Sequence, residues 1–79
     1  MSVTVYTQPQ CRPCDRVKNK LKEAGIEFRE VDILKSDLGY NYLKAIGAKS
    51  TPVVEADGFP LIMGYQPDKL KELISELRV

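Results

Sequence analysis

Apolar positions along this 79-residue chain change their period several times, and each change marks an element. Val3, Val5 and Tyr6 form a short β-branched and aromatic run that reads as a strand, closed by the turn residues Thr7-Gln8-Pro9-Gln10. Cys14, Val17, Leu21 and Ala24 then recur at spacings of three and four. That predicts a helix with one narrow apolar face, stopped by Gly25. Phe28, Val31 and Ile33 fit a second strand with Asp32 near its end. Ser36 or Asp37 suits the cap of a second helix in which Leu38, Tyr42, Leu43 and Ile46 lie on one side, ended by Gly47. Two further runs, 52–56 and 59–63, flank Asp57-Gly58, a hairpin signal. Pro67 suits the first position of a last helix whose buried stripe is Leu70, Leu73, Ile74 and Leu77.

The predicted order is β-α-β-α-β-β-α. Two strands joined through a helix imply a parallel pair with a right-handed crossover, and the final hairpin adds antiparallel strands. A four-stranded mixed sheet flanked by three helices, on both faces, is the economical α/β arrangement. Neither a linker nor a repeat interrupts the chain, so residues 1–79 read as a single domain.

Composition narrows the class without naming a function. With 43% hydrophobic residues the chain reads as globular, and a net charge of +1 gives no case for nucleic acid. No apolar run approaches the length of a membrane span, and the first residues read as a strand rather than a signal peptide. A cytoplasmic location is the expectation, and there a Cys-x-x-Cys pair points to redox or metal chemistry more than to a structural staple.

The two cysteines are Cys11 and Cys14, enclosing Arg12 and Pro13 at the strand-to-helix junction. A disulfide across three positions closes too short a loop to constrain the unfolded chain much. A thiol at a helix start instead meets unpaired N–H groups and the positive end of the helix dipole. Such thiols fall to a pKa of roughly 3.5–7.5, against about 8.5 when free. Cys11 opens the helix, so its sulfur is expected to face solvent and attack. Cys14 continues the Val17–Leu21 face, so it is expected to be buried and to resolve. Pro13 withholds one N–H from Cys11, which favours a more reducing couple, while Arg12 acts the other way. The balance is expected nearer the thioredoxin end, about −270 mV.

Cys11-Arg12-Pro13-Cys14, Ser50-Thr51-Pro52-Val53-Val54 and Gly64-Tyr65-Gln66-Pro67-Asp68-Lys69-Leu70 together resemble the thioredoxin superfamily in its glutaredoxin-sized form. The third motif is similar to that of NrdH redoxins, although Ile62-Met63-Gly64 stands where that family usually has Trp-Ser-Gly. The resemblance implies a thioredoxin-like fold and a dithiol–disulfide oxidoreductase with Cys11 and Cys14 as its catalytic, redox-active pair. It implies a cis-proline at Pro52 opposite the dithiol, with the backbone of Thr51 pairing with an extended substrate. Arg12, Pro13, Thr51, Pro52, Gly64 and Tyr65 are then the substrate-binding candidates, with Tyr6 and Gln8 as weaker ones.

The same resemblance implies thioredoxin reductase as electron source and ribonucleotide reductase, or another disulfide-bearing protein, as target. The protein is expected to act as a monomer, with no cofactor, no metal, no nucleic acid and no membrane. A basic run on the first helix (Arg12, Arg16, Lys18, Lys20, Lys22) reads either as a solvated face or as a guide for an acidic partner. Besides a non-enzymatic binding module in which the Cys-x-x-Cys is incidental, two alternatives stay open. One is a glutathione-dependent glutaredoxin, with Lys49 and Arg12 holding glutathione carboxylates. The other is a metal or iron–sulfur module, which two thiolates and no histidine serve poorly.

Overall fold

The computed structural model describes residues 2–78. Its elements are β1 (Val3–Thr7), α1 (Arg12–Glu23), β2 (Arg29–Asp32), α2 (Asp37–Ala45), β3 (Val53–Ala56), β4 (Phe59–Met63) and α3 (Pro67–Leu77). The strands form one sheet in the order β2-β1-β3-β4. β1 pairs parallel with β2 and antiparallel with β3, and β3 pairs antiparallel with β4. This is the expected mixed sheet, of thioredoxin-like fold.

Strand alternation divides the apolar residues between two faces. Val3, Val5, Val54, Ala56 and Ile62 point one way and pack against Val17 and Leu21 of α1 and Leu70 and Leu73 of α3. Tyr6 and Val53 point the other way, toward Leu43 of α2, with Val31, Tyr42 and Ile46 around them. Full burial of a leucine such as Leu21 or Leu70 stabilises by roughly 1.5–3 kcal/mol, and helix packing on both faces lets a small chain hold together. β4 is an edge strand. Its Pro60, which has no N–H to give, falls where the β3–β4 register slips by one residue between Val54 and Ala56.

Three local expectations need adjusting. Phe28 and Ile33 flank β2 rather than belonging to it. Ser36, not Asp37, caps α2. Leu38 is 85% exposed and not part of the buried side of α2. Gly39 takes that place: a Cβ there would stand 2.7 Å from Val31 Cγ1, so the first turn touches the sheet through glycine. Leu38, about 100° back around the helix, is turned outward.

Candidate functional site

The dithiol forms where β1 gives way to α1. Gln10 adopts a left-handed backbone (φ 58), which swings the chain from strand to helix. Cys11 is the N-cap of α1, extended at φ −109 and ψ 101, and Pro13 occupies the first helical turn where no N–H is missed. The sulfur does what a serine hydroxyl does at other helix starts. Cys11 Sγ accepts from the Cys14 backbone N–H at 3.2 Å, while Cys11 O accepts from Asp15 N–H at 3.1 Å.

Cys11 and Cys14 are joined as a disulfide, with their Cα atoms 5.2 Å apart. Cys14 is fully buried on the Val17–Leu21 face, as expected. Cys11 differs from expectation. It retains only 8% of its surface, because Thr51 is laid against it. Thr51 Oγ1 donates to Cys11 Sγ at 3.5 Å, and the Thr51 carbonyl oxygen lies 3.8 Å from the same sulfur. The Thr51–Pro52 peptide bond is cis, as the resemblance implied. The Pro52 carbonyl in turn accepts from Gly64 N–H at 2.8 Å. Cys11, Cys14, Thr51, Pro52 and Gly64 thus form one connected group drawn from three distant stretches of the chain.

The other candidates fall around this group with different exposure. Arg12 and Pro13 are exposed on the first turn of α1. Pro52 is fully buried, so its ring offers no surface to a partner, whereas Pro13 is exposed within the dithiol motif and Tyr65 is half-buried. The Arg16 guanidinium lies over the Tyr65 ring, 5.9 Å from its centroid. Gly64 has a left-handed backbone (φ +79), and no atom of the chain stands within 4 Å of where a Cβ would be, so it faces open space. Gln8 is half-buried and shares a shallow groove with Lys49 and Ser50.

Tyr6 does not belong to the site. It lies on the opposite sheet face, stacked on Tyr42 with ring centroids 5.1 Å apart, and both phenols donate to the Glu55 carboxylate. That bond to Glu55 pushes the Tyr42 phenol up to about 12, and burial raises Tyr6. Thr7, read from the sequence as a turn residue, is instead the buried last residue of β1, and its hydroxyl has no hydrogen-bond partner among the described residues. The signal was present: Val3, Val5 and Thr7 alternate along β1 toward the helix face that holds Cys14.

Among the described residues no group of three or more His, Cys, Asp or Glu side chains is placed to hold a metal ion. No helix there is long and apolar enough to cross a membrane.

Known proteins with these features converge on one group. The Glutaredoxin family model matches residues 3–60. The Gene 56 protein of Mycobacterium phage L5 is 53% identical over 73 residues, which cover 91% of this chain and 71% of that protein. The glutaredoxin-like protein NrdH of Salmonella typhimurium is 32% identical, over 92% of this chain and 89% of its own length. Among solved structures, NrdH-redoxin from Escherichia coli superposes with a TM-score of 0.86 at 27% identity, covering 92% of this chain and 95% of that one. The chain belongs to the glutaredoxin family, with the NrdH redoxins, as a disulfide oxidoreductase, and it carries its Cys11–Cys14 disulfide at the start of α1.

Proposed function

We propose that Cys11 is the attacking thiol and Cys14 the resolving one, in a carrier that takes electrons from thioredoxin reductase and gives them to a disulfide-bearing protein. The Cys11 thiolate attacks one sulfur of the target disulfide, making a mixed disulfide and releasing the first target sulfur as thiolate. The Cys14 thiolate then attacks Cys11 Sγ and releases the second. Two electrons have moved: the target is now a dithiol and Cys11–Cys14 a disulfide. The observation that carries this reading is the pair of donors on Cys11 Sγ, the Cys14 N–H and the Thr51 hydroxyl. Both stabilise negative charge on that sulfur, and the α1 dipole adds to them. The Thr51 carbonyl is placed to accept from the thiol once the bond is reduced.

In this reading Arg12, Pro13, Thr51, Pro52, Gly64 and Tyr65 frame the bound segment of the target, with the Thr51 backbone as its pairing edge. Ribonucleotide reductase is the foremost target, supported by the likeness to NrdH proteins. Thioredoxin reductase is favoured over glutathione by the likeness to a redoxin described by its thioredoxin-like activity profile. Residues 1–79 work as one domain, as a monomer, in a reducing cytoplasm.

The test is insulin reduction driven in parallel by NADPH with thioredoxin reductase and by millimolar glutathione with its own reductase. The reductase route is expected to be fast and the glutathione route slow. Faster turnover with glutathione overturns the donor assignment. Failure of both donors overturns the carrier reading itself.

A further inference from the structure

The α1/α3 face carries a charge pattern that exchange at Cys11 does not use. Arg12, Arg16 and Lys20 recur every four residues on α1, so they form one stripe that begins beside Cys11 and runs down the helix. Lys18, on another face, is occupied by Glu30 at 2.8 Å and Asp15 at 3.6 Å. Among the described residues no carboxylate pairs with Arg12, Arg16, Lys20 or Lys71. Alongside the stripe, between α1 and α3, lies a cleft of about 410 Å³. Tyr65, Leu70 and Ile74 give it an apolar floor, Lys20 and Lys71 give it cationic walls, and Asp68 is its one lining carboxylate. Arg16, held over the Tyr65 ring, links the cleft to the dithiol end.

We propose that this cleft docks the stretch of the target protein next to its reacting cysteine, and that this stretch is acidic with one apolar anchor. The inference rests on the carrier reading above, because it is the dithiol that fixes one end of the bound segment. Arg12 and Lys20 are separated by about 12 Å along the helix at about 1.5 Å per residue. An extended segment covers that span in about four residues. The acidic positions therefore lie within about five residues of the target cysteine, and the anchor seats on Tyr65 and Ile74. A stripe of three cations on a chain of net charge +1 is too short a field for nucleic acid, whereas it matches a few carboxylates.

The experiment uses disulfide-bonded peptide pairs that differ only at the positions three to five residues from the reacting cysteine. One set carries Asp and Glu there and the other Asn and Gln, on the N-terminal or the C-terminal flank. For each protein the readout is the ratio of kcat/KM for acidic over neutral peptide, so any change in the intrinsic reactivity of the dithiol cancels. The wild-type protein is expected to favour the acidic peptide on one flank by about tenfold at low salt, three exposed ion pairs of modest individual worth. The preference is expected to fall as salt is added and to be lost in Lys20→Glu/Lys71→Glu, where two cations then face two new carboxylates. A ratio near one on both flanks, or a preference untouched by the charge reversal, overturns the docking assignment. Reduction of hydroxyethyl disulfide by the wild-type protein separates the two failures. Activity there with no peptide preference sinks only the docking site, while no activity sinks the carrier reading and the docking site with it.

Discussion

Helices α1 and α2 begin with the same hydrogen bond and end in different roles. At α1, Cys11 Sγ accepts from the N–H three residues on at 3.2 Å; at α2, Ser36 Oγ accepts from the Gly39 N–H at 3.0 Å. Both caps are extended, at φ −109 and −128, and both helices run into a glycine of positive φ, Gly25 and Gly47. The dipole and the unpaired N–H groups are therefore common to both and cannot by themselves make a site. Two things separate them. The capping atom at α1 is an ionisable sulfur with a second sulfur one turn on, where α2 has a hydroxyl and a glycine. Thr51 also reaches across from the start of β3 to Cys11, while the start of α2 meets the Val31 side chain.

Making the two caps chemically alike gives the largest effect. Cys11→Ser is expected to abolish disulfide exchange, read as insulin reduction, while leaving the reduced protein as stable as before, because serine is an effective cap. Cys11→Ala is expected to abolish exchange and also to lower stability by about 1 kcal/mol in urea unfolding. Cys14→Ser is expected instead to keep the attack and accumulate a mixed disulfide through Cys11, visible by mass spectrometry. Residual exchange in Cys11→Ser would mean that Cys14, the one remaining thiol, attacks as well, and the division between attacker and resolver would fall.

The equivalent third position of α2 is tested by Gly39→Ala. In an exposed helix interior that change ordinarily stabilises by about 1 kcal/mol. Here the new Cβ meets Val31 Cγ1 at 2.7 Å and Ser36 Oγ at 3.3 Å, and a β-branched neighbour has little freedom to retreat. The expected result is a loss of about 1–3 kcal/mol with the exchange rate unchanged. Ser36→Ala comes next, at about 1 kcal/mol, again with no change in exchange. A gain in stability from Gly39→Ala would show that α2 sits less tightly on the sheet than its contacts imply.

Local pattern accounts for most of the fold. Each helix shows a spacing of three and four, α1 and α2 run into Gly25 and Gly47, and α3 opens on Pro67, so the three helices were visible one at a time, and Asp57-Gly58 announced the hairpin. Leu38 misled because periodicity reports a face without saying where that face leaves the sheet, and the contact there belongs to a glycine that no hydrophobic pattern registers. The site divides in the same manner. Cys11 and Cys14 were legible together because they lie one helical turn apart. Thr51 and Gly64 reach the dithiol through pairings some 40 residues or more from Cys11, and only resemblance pointed to them. Thr7 was placed in the turn because Gln8-Pro9-Gln10 follow it, whereas its alternation with Val3 and Val5 belongs to β1. The Tyr6–Tyr42–Glu55 group was invisible for the same reason as Thr51: its members come from β1, α2 and β3.

That last group supplies the smallest expected effect and shows how differently α2 is fastened. α1 packs through Val17 and Leu21 and bonds β2 through Lys18 and Glu30, whereas α2 adds to Leu43 a tie to β3, the Tyr42 hydroxyl donating to Glu55. The bond holds the Tyr42 phenol in its protonated form, at about 12 when folded against about 10 unfolded. Tyr6 is raised as well, chiefly by burial. A raised folded pKa means the native state keeps protons that the unfolded chain releases. The contribution is therefore complete below about pH 10 and is lost as pH climbs toward about 12. Lys18, raised by its hydrogen bond to Glu30, changes with the same sign in the alkaline range, so the parent profile alone does not isolate Tyr42. The difference between parent and Tyr42→Phe does. On a Cys11→Ser/Cys14→Ser background, which removes thiol titration, Tyr42→Phe is expected to cost about 1 kcal/mol at pH 7. It is also expected to flatten the fall in urea midpoint between about pH 10 and 12. Parallel profiles for the two proteins would show that Glu55 does not hold this phenol in the folded state, and α2 would then owe its place to packing, through Gly39, the Tyr42 ring, Leu43 and Ile46.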